Sequence, residues 1–262
     1  MVLVYVDDLL LTGNDLSMIE ELKVVLHHNF KINDLGVLKY FLGFEVLRSN
    51  GGILLTQRKY ALEVIEDTGL GGAKPAVTPM EQHIKFTSVE YDGGLEQGVK
   101  DDELTIEKPM FQRLIGRLIY LTHTGPGIMY TVHHLSRFLQ HPKRSHLEAA
   151  FRMVRYIKKD PGQEIPVASV GTCQLQAYCD ADWGFRLMTR RSITGYRIKI
   201  GKSLDSWKSK KQNTIARSSV EAEYRSMAMT VSEVVWLRRL MLELGESELK
   251  PTKLYCDSKT AL

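Results

Sequence analysis

The sequence predicts a multidomain protein of mixed α+β and α/β class. Three observations carry this prediction: strand-like runs around an acidic pair at the start, helical periodicity in the middle, and a strand–strand–strand–helix–strand order at the end. At 262 residues the chain is long enough for two modest domains with real cores. Its 44% hydrophobic and 25% charged content is typical of a globular protein.

The first predicted element is a hairpin. Two apolar runs, residues 2–6 and 9–11, enclose the adjacent carboxylates of Asp7 and Asp8. Burying charge beside apolar strands costs free energy unless something pairs with it, and a divalent metal ion is the usual partner. The same two residues also fit the polar turn of an ordinary β-hairpin, so the local pattern leaves both interpretations open.

A helix, two strands and a short helix are predicted next. Asn14 and Asp15 are suitable N-cap residues for a helix whose apolar positions repeat at helical spacing. These positions are Ile19, Leu22, Leu26 and Phe30. Strand-like stretches cover residues 38–47 and 52–57, and a short helix covers 59–68.

Residues 71–108 lack periodicity and are acidic in their second half, which predicts a flexible linker or a long surface loop. Three helices are predicted after Pro109. Their apolar residues are Met110, Leu114, Leu118 and Leu121, then Val132, Leu135 and Leu139, then Leu147, Phe151, Val154 and Ile157. The pairs His27-His28 and His133-His134 are predicted to lie on the surface, because adjacent helical side chains point about 100° apart and cannot easily share one ion.

The last part of the chain begins with an alternating strand. Over residues 175–183 the alternation places Asp180 and Asp182 on one face. Two more strands are predicted at 195–201 and 203–209, and a final strand at 253–256 ends at Asp257. Between them a long helix is predicted, with Ser218 and Glu221 at capping-box spacing and Glu223 near its apolar stripe. That stripe is Tyr224, Met227, Val231, Val234, Leu237, Met241 and Leu244.

Acids on the first strand, on the helix and after the last strand form the arrangement that a two-metal nuclease needs. Two divalent ions about 4 Å apart must be bridged by carboxylates from different elements. Each acid taken alone is more often a surface charge. The spacing does not choose Asp180 over Asp182.

Basic residues concentrate in one block. Net charge is only +4, but residues 186–217 contain ten basic residues and one acid, Asp205. The basic residues are Arg186, Arg190, Arg191, Arg197, Lys199, Lys202, Lys208, Lys210, Lys211 and Arg217. Such a block is consistent with a solvated face and with a surface that follows a phosphate backbone.

The cysteine content and the hydropathy limit the remaining classes. Three cysteines without a CxxC pair exclude a disulfide scaffold or a zinc knuckle within this chain. No apolar run reaches membrane-spanning length, and the apolar start lacks a basic region, so neither a membrane span nor a signal peptide is predicted. The sequence predicts an intracellular protein, cytoplasmic or nuclear, with no membrane partner.

Several motifs resemble one known family in its own order. YVDDLLLTGND followed by FKINDLGVLKYFLGFEV resembles the reverse transcriptase of copia-type LTR retrotransposons. FQRLIGRLIYLTHTGPGIMYTVHHLSRFLQHP resembles the segment that joins polymerase to ribonuclease H in these elements. LQAYCDADWGFRLMTRRSITGY, SWKSKKQNTIARSSVEAEYRSMA and LYCDSKTAL closely resemble their ribonuclease H domain.

The resemblance implies four segments and a set of site residues. The segments are a palm remnant with the start of a thumb (1–70), an acidic linker (71–108), a helical connection (109–165) and a ribonuclease H-like domain without its C-terminal end (166–262). The implied catalytic, metal-binding residues are Asp7, Asp8, Asp180, Glu223 and Asp257, with Mg²⁺ or Mn²⁺ as the ion. The implied nucleic-acid contacts are Leu42, Gly43, Phe44, Arg190, Arg191, Lys208, Lys210 and Lys211.

The same resemblance implies RNA, DNA and RNA–DNA hybrids as partners, and RNA-directed DNA synthesis with cleavage of the RNA strand as the activity of the parent polyprotein. In the family a third palm acid and the fingers lie upstream of YVDD, and a fourth nuclease acid lies beyond Asp257. The isolated chain is therefore expected to be inactive as a polymerase and to have little or no nuclease activity. A non-catalytic nucleic-acid-binding protein, or a decayed transposon-derived one, is the alternative.

Overall fold

The computed structural model describes residues 1–81, 84, 86–94, 108–169, 171, 173–184, 188–247 and 249–261. Within these ranges the chain forms seven α-helices and ten strands, so the mixed α/β prediction is confirmed. The chain divides into two compact units, Met1–Val46 and Leu47–Leu262. The predicted division into four segments stays a prediction.

The first unit opens with the predicted hairpin and helix. Strands β1 (Val2–Tyr5) and β2 (Asp8–Leu11) pair antiparallel, and helix α1 spans Leu16–Asn29. The side chain of Asp15 accepts a hydrogen bond from the backbone N–H of Met18 at 3.1 Å, so this residue is the N-cap. No residue of α1 is buried.

The stretch predicted as one strand over residues 38–47 is a second hairpin. Strand β3 (Tyr40–Phe41) pairs antiparallel with the start of β4 (Phe44–Ser49). Leu42 and Gly43 form the two-residue turn with φ of 49° and 74°. Positive φ at both positions is the conformation of a type I′ turn, which Gly43 adopts without strain. The apolar run concealed this turn because Leu42 is an unusual turn residue.

The second unit contains a helical core. Its elements are β5 (Gly52–Thr56), α2 (Arg58–Asp67), α3 (Val89–Gly93), α4 (Lys108–Leu121), α5 (Met129–Leu135), α6 (Arg144–Lys159) and β6 (Glu164–Ala168). Helices α2, α4, α5 and α6 pack together around Phe111, Ile115 and Met153, which are fully buried. Strand β6, which the sequence did not predict, pairs antiparallel with β5.

Two buried aromatic residues come from segments that the sequence predicted to be exposed. Phe86, within the predicted acidic linker, packs in the helical core, while residues 95–107 of that linker lie outside the described part of the chain. His134 is only 4% exposed, so its predicted surface position is wrong. Burial, reinforced by the charge of Arg137, lowers the pKa of His134 to about 4. The His134 ring packs among aromatic neighbours, with its centroid 5.5 Å from that of Phe86 and 6.1 Å from that of Phe138.

A four-stranded sheet carries the rest of the second unit. Strands β7 (Leu175–Asp182), β8 (Ile193–Ile200) and β9 (Ser203–Lys211) form an antiparallel meander, and β10 (Lys253–Cys256) pairs parallel with β7. The strand order is β10-β7-β8-β9. Helix α7 (Ser219–Glu243) packs on one face. The predicted order of strands and helix is thus confirmed.

The buried face of α7 differs from the predicted stripe. Val234, Leu237 and Met241 are buried as predicted. Tyr224, Val231 and Leu244 are exposed. Small and polar residues replace them in the first half of the helix, where the buried positions are Ala222, Glu223, Ser226 and Thr230. An apolar scan misses this half because the hydroxyl groups of Ser226 and Thr230 are satisfied by backbone carbonyls.

The start of α7 is capped, with one departure from the predicted capping box. The Ser218 Oγ accepts from the N–H of Glu221 at 3.2 Å, as predicted. The Glu221 carboxylate accepts from the N–H of Arg217 at 2.7 Å. The reciprocal bond of a capping box would come from the N–H of Ser218. The helix start is therefore stabilised one residue further upstream.

The other face of this sheet meets the helical core. The indole N–H of Trp207 on β9 donates to the carbonyl of Thr122, just after α4, at 2.9 Å. The N–H of Ala168 on β6 donates to Ser203 Oγ at 2.9 Å. The sheet is therefore held between α7 and the helices of the same unit. Among the described residues, none of the helices is both long and apolar enough to span a membrane.

Candidate functional site

The buried carboxylate of Glu223 is the centre of the site. Helix α7 presents it to the sheet, where it is only 6% exposed. Its Oε1 accepts from the N–H of Ala181 on β7 at 3.2 Å, and its Oε2 accepts from the thiol of Cys256 on β10 at 3.6 Å. These two bonds fix the carboxylate between the two parallel strands.

Asp257 lies beside this carboxylate. Strand β10 ends at Cys256, so Asp257 leaves the sheet edge at an exposed position. One ligand atom each from Glu223, Cys256 and Asp257 lies within 4.8 Å of the others. Cys256 was not among the predicted site residues, and the only signal for it was its position directly before Asp257. The structure thus adds a thiol to the predicted acids.

Asp180 is near this group without being part of it. It lies on β7 directly before Ala181, and its backbone carbonyl accepts from Ser226 Oγ at 2.8 Å. Its exposed carboxylate is on the sheet face opposite to α7, because buried Cys179 and Ala181 occupy the helix face. Its charge nonetheless acts on Glu223.

Electrostatic effects link the three acids. Burial raises the pKa of Glu223, and the negative charges of Asp180 and Asp257 raise it further. Among the described residues no Lys or Arg forms an ion pair with any of the three. Clustered carboxylates without a basic partner fit a divalent cation, since Mg²⁺ and Mn²⁺ prefer oxygen ligands. The residues present therefore suit the ion that the sequence resemblance implied.

Asp182 has a different neighbour from Asp180. The hydroxyl of Tyr130, on α5, donates to Asp182 Oδ2 at 3.3 Å. Burial raises the pKa of Tyr130, and the charge of Asp182 raises it further. Asp182 therefore links the sheet to the helical core, whereas Asp180 is the acid that acts on Glu223.

Both acids of β7 line a cleft between the sheet and the helical core. The cleft has a volume of about 340 Å³. Its lining includes Tyr130, Asp180, Asp182, Arg197, Trp207 and Ser209. A surface that combines acids, an arginine and an aromatic side chain can accept a polar, partly stacked ligand.

The acidic pair of the first unit occupies a strained turn. Val6 and Asp7 connect β1 to β2, and Asp8 is the first residue of β2, opposite Tyr5. Val6 has a φ of 48°, which is costly for a β-branched residue. Asp7 and Asp8 are both exposed. Within the described ranges the structure brings no further metal-ligating side chain to them. The second hairpin of this unit carries Leu42, Gly43 and Phe44 at its own turn.

The predicted basic residues do not share one surface. On β9, Lys208 lies opposite Tyr196 on the α7 face, and Lys210 is on that same face. Lys211 alternates to the face of the cleft. Arg190 and Arg191 precede β8, and Arg190 has a φ of 52°. Arg186 lies outside the described residues.

Comparison with known proteins identifies the class of the first part of the chain. Residues 1–82 match the family model for reverse transcriptase (RNA-dependent DNA polymerase). Among solved structures no match was found.

Several relatives match almost the whole chain. The chain is 39% identical, over 98% of its length, to the retrovirus-related Pol polyprotein from transposon RE1 of Arabidopsis thaliana. It is 34% identical, over 99% of its length, to that from transposon TNT 1-94 of Nicotiana tabacum. It spans only 17% and 19% of these relatives. It spans 72% of a putative transposon Ty5-1 protein of Saccharomyces cerevisiae, at 31% identity. The chain belongs to the Pol polyproteins of copia-type retrotransposons.

Proposed function

We propose that residues 166–262 are a ribonuclease H-like unit that acts on the RNA strand of RNA–DNA hybrids within a copia-type Pol polyprotein. The observation that carries this proposal is the approach of ligand atoms of Glu223 and Asp257 to within 4.8 Å from two elements of one sheet-and-helix unit, with the charge of Asp180 on β7 acting on Glu223. Hydrolysis of a phosphodiester by two metal ions requires carboxylates from different elements to converge in this way.

The residues of the chain have separable roles in this proposal. Glu223, Asp257 and Asp180 would hold Mg²⁺ or Mn²⁺, which supplies an activated water and neutralises charge on the phosphate. The N–H of Ala181 and the thiol of Cys256 keep the Glu223 carboxylate oriented before any ion binds. Tyr130 keeps Asp182 turned toward the helical core. The cleft beside Asp180 would receive the nucleic-acid strand.

For the first unit we propose the role of a reverse transcriptase palm segment. Asp7, helped by Asp8, would ligate the ions used in nucleotidyl transfer, and Leu42, Gly43 and Phe44 would contact the primer strand. The reverse transcriptase match over residues 1–82 supports this role. Because both acids are exposed and no third ligand approaches them within the described residues, this chain alone would not extend a primer.

Two assays test these roles. Cleavage of a labelled RNA–DNA hybrid with Mg²⁺ or Mn²⁺ is expected to be weak, and Asp257→Asn is expected to remove whatever activity exists. Cleavage that is unchanged in Asp257→Asn would contradict the proposed site. In a primer-extension assay the chain is expected to match its Asp7→Asn, Asp8→Asn variant. Template-dependent synthesis above that control would contradict the proposed inactivity.

A second candidate function is nucleic-acid binding without catalysis. The ten basic residues against one acid in residues 186–217 favour it. It predicts binding to RNA–DNA hybrid that is steeply salt-dependent and independent of sequence. Binding with no cleavage under any divalent ion would favour this candidate over the nuclease, and no binding at low salt would exclude both.

A further inference from the structure

Four basic residues lie near one another beside Ile193, which lines the cleft. We call them the Arg137 cluster: His133, Arg137, Arg191 and Lys211. Arg137 belongs to the 3-10 turn Ser136–Phe138 that follows α5, and α5 packs against β9. The family resemblance implied nucleic-acid contacts at Arg191 and Lys211, whereas Arg137 lies 54 residues before Arg191 and no local pattern joins it to them.

The register of the sheet fixes two members of the cluster together. Lys211 lies opposite Ile193, and the N–H of Gln212 donates to the carbonyl of Ser192 at 2.9 Å. This ladder places Arg191 diagonally across from Lys211 on one face, with Cα atoms about 7–8 Å apart. Both side chains are thus on the cleft face and not on the α7 face.

Arg137 completes the cluster with an unsatisfied donor. Its Nη1 is buried and has no hydrogen-bond partner within the described residues. A buried N–H of a charged group without a partner costs free energy, and more so among like charges. The described part of the chain offers no carboxylate within ion-pair distance of Arg137, Arg191 or Lys211.

Lys211 and His133 respond to the positive charges of other members of the cluster. Burial lowers the pKa of Arg137 to about 10. Burial and then the charges of Arg137 and Arg191 lower the pKa of Lys211. Burial and then Arg137 and Lys211 lower the pKa of His133. An anion bound among these groups would relieve their mutual repulsion and satisfy the open donor.

We propose that the Arg137 cluster binds one backbone phosphate of the nucleic-acid strand that occupies the cleft. The nucleic-acid identity of the ligand rests on the proposed function. The planar guanidinium of Arg137 can donate two N–H groups to one phosphate. Lys211 lies opposite Ile193, which lies opposite Asp182, two residues after Asp180. Two strand spacings and two residues along a strand separate the Cα atoms of Lys211 and Asp180 by about 12 Å. The contact therefore positions the strand without touching the phosphate that would be cut.

The test measures the salt dependence of binding to a fluorescent RNA–DNA hybrid. Loss of one phosphate contact reduces the steepness of log K against log salt concentration by about 0.9. Between 1 M and 0.1 M salt, the affinity of the variant would therefore rise about 8-fold less than that of the wild type. We expect this change for Lys211→Gln and for Arg137→Gln. Arg239→Gln is the matched control, because Arg239 is exposed on α7, on the other side of the sheet.

The outcomes separate this inference from the proposed function. Binding by the wild-type chain with unchanged slopes in Lys211→Gln and Arg191→Gln would overturn the cluster and leave nucleic-acid binding intact. No binding at low salt would overturn the proposed function itself. If Arg137→Gln lowers the melting temperature, the test relies on the variants Arg191→Gln and Lys211→Gln. Binding of inorganic phosphate that is lost in Lys211→Gln, with hybrid affinity and slope unchanged in the same variant, would assign the site to a small anion and overturn the nucleic-acid ligand.

Discussion

Removing the charge of Glu223 is predicted to stabilise the metal-free protein. Glu223→Gln keeps the shape of the side chain and an oxygen that accepts from the N–H of Ala181, but it removes the repulsion from Asp180 and Asp257. The matched control is Glu221→Gln, two residues earlier on the same helix. Glu221 accepts from the N–H of Arg217 and from the guanidinium of Arg225, so its charge is favourable.

The size of the effect follows from the geometry of the group. Ligand atoms of Glu223 and Asp257 lie within 4.8 Å of one another. Two unit charges at that distance repel by about 1 kcal/mol at the permittivity of water and by about 3 kcal/mol at an effective permittivity of 20. Because Asp257 is exposed, the lower value applies. In a chain of this size about 1 kcal/mol corresponds to a rise of about 2–4 °C in melting temperature.

The two variants have opposite pH dependence. The folded-state pKa of Glu223 is raised, so its stabilising contribution is present below the ordinary glutamate pKa and is lost as pH rises through the folded-state pKa. Glu223→Gln is therefore more stable than the wild type only at pH values above the ordinary glutamate pKa. The pKa of Glu221 is lowered, mainly by the Arg217 N–H. The stabilising contribution of Glu221 is present at neutral pH and is lost as pH falls through its lowered folded-state pKa. The stability difference between Glu221→Gln and the wild type therefore disappears in acid.

Thermal unfolding in a chelator between pH 4 and pH 8 measures both differences. Titration with Mn²⁺ should then raise the melting temperature of the wild type and leave Glu223→Gln unchanged, because a ligand that binds only the folded state stabilises it. A melting temperature of Glu223→Gln below that of the wild type, at neutral pH and without metal, would contradict the predicted repulsion. Equal stabilisation of both proteins by Mn²⁺ would contradict the role of Glu223 as an ion ligand.

Three further predictions concern the scaffold. Gly52→Ala should lower the free energy of unfolding by about 2 kcal/mol or more, because Gly52 has a φ of 138° and a Cβ there would lie 2.1 Å from the carbonyl oxygen of Val167. Gly116→Ala, in open space on α4, should instead raise it by about 0.5–1 kcal/mol. Urea unfolding measures both changes, and the opposite ranking of the two variants would contradict this prediction. Ser218→Ala should cost about 1 kcal/mol by loss of the α7 N-cap, again by urea unfolding, and no loss would argue against the cap. Leu42→Asn should slow amide exchange at Val46, because Asn tolerates positive φ; faster exchange would contradict the turn.

Periodicity predicted the elements well where one face of an element is apolar. The strand at residues 253–256 and the cap at Ser218 follow directly from local chemistry. Apolar periodicity failed where polar side chains are buried. His134 is buried by aromatic neighbours from distant segments, and the first half of α7 is buried through Ser226 and Thr230, so neither produces an apolar signal.

The site shows the same limit. The acids could be found from their places at the ends of elements, whereas the role of Cys256 depends on the register of β10 against β7. The basic block could be counted from the sequence, but its division between two faces follows from strand alternation on β9. Arg137 enters the cluster only through the packing of α5 on β9, which no local pattern encodes.

The strand that carries Asp257 has a consequence for dynamics. Strand β10 has four residues and, within the described part of the sheet, pairs only with β7 at the edge. Short edge strands open and close locally without global unfolding. Repulsion between Asp257 and Glu223 favours the open form, and a shared cation favours the closed one. Docking of this strand and occupancy of the ion site would then be a single equilibrium, so amide exchange along β10 would depend on the concentration of divalent cation.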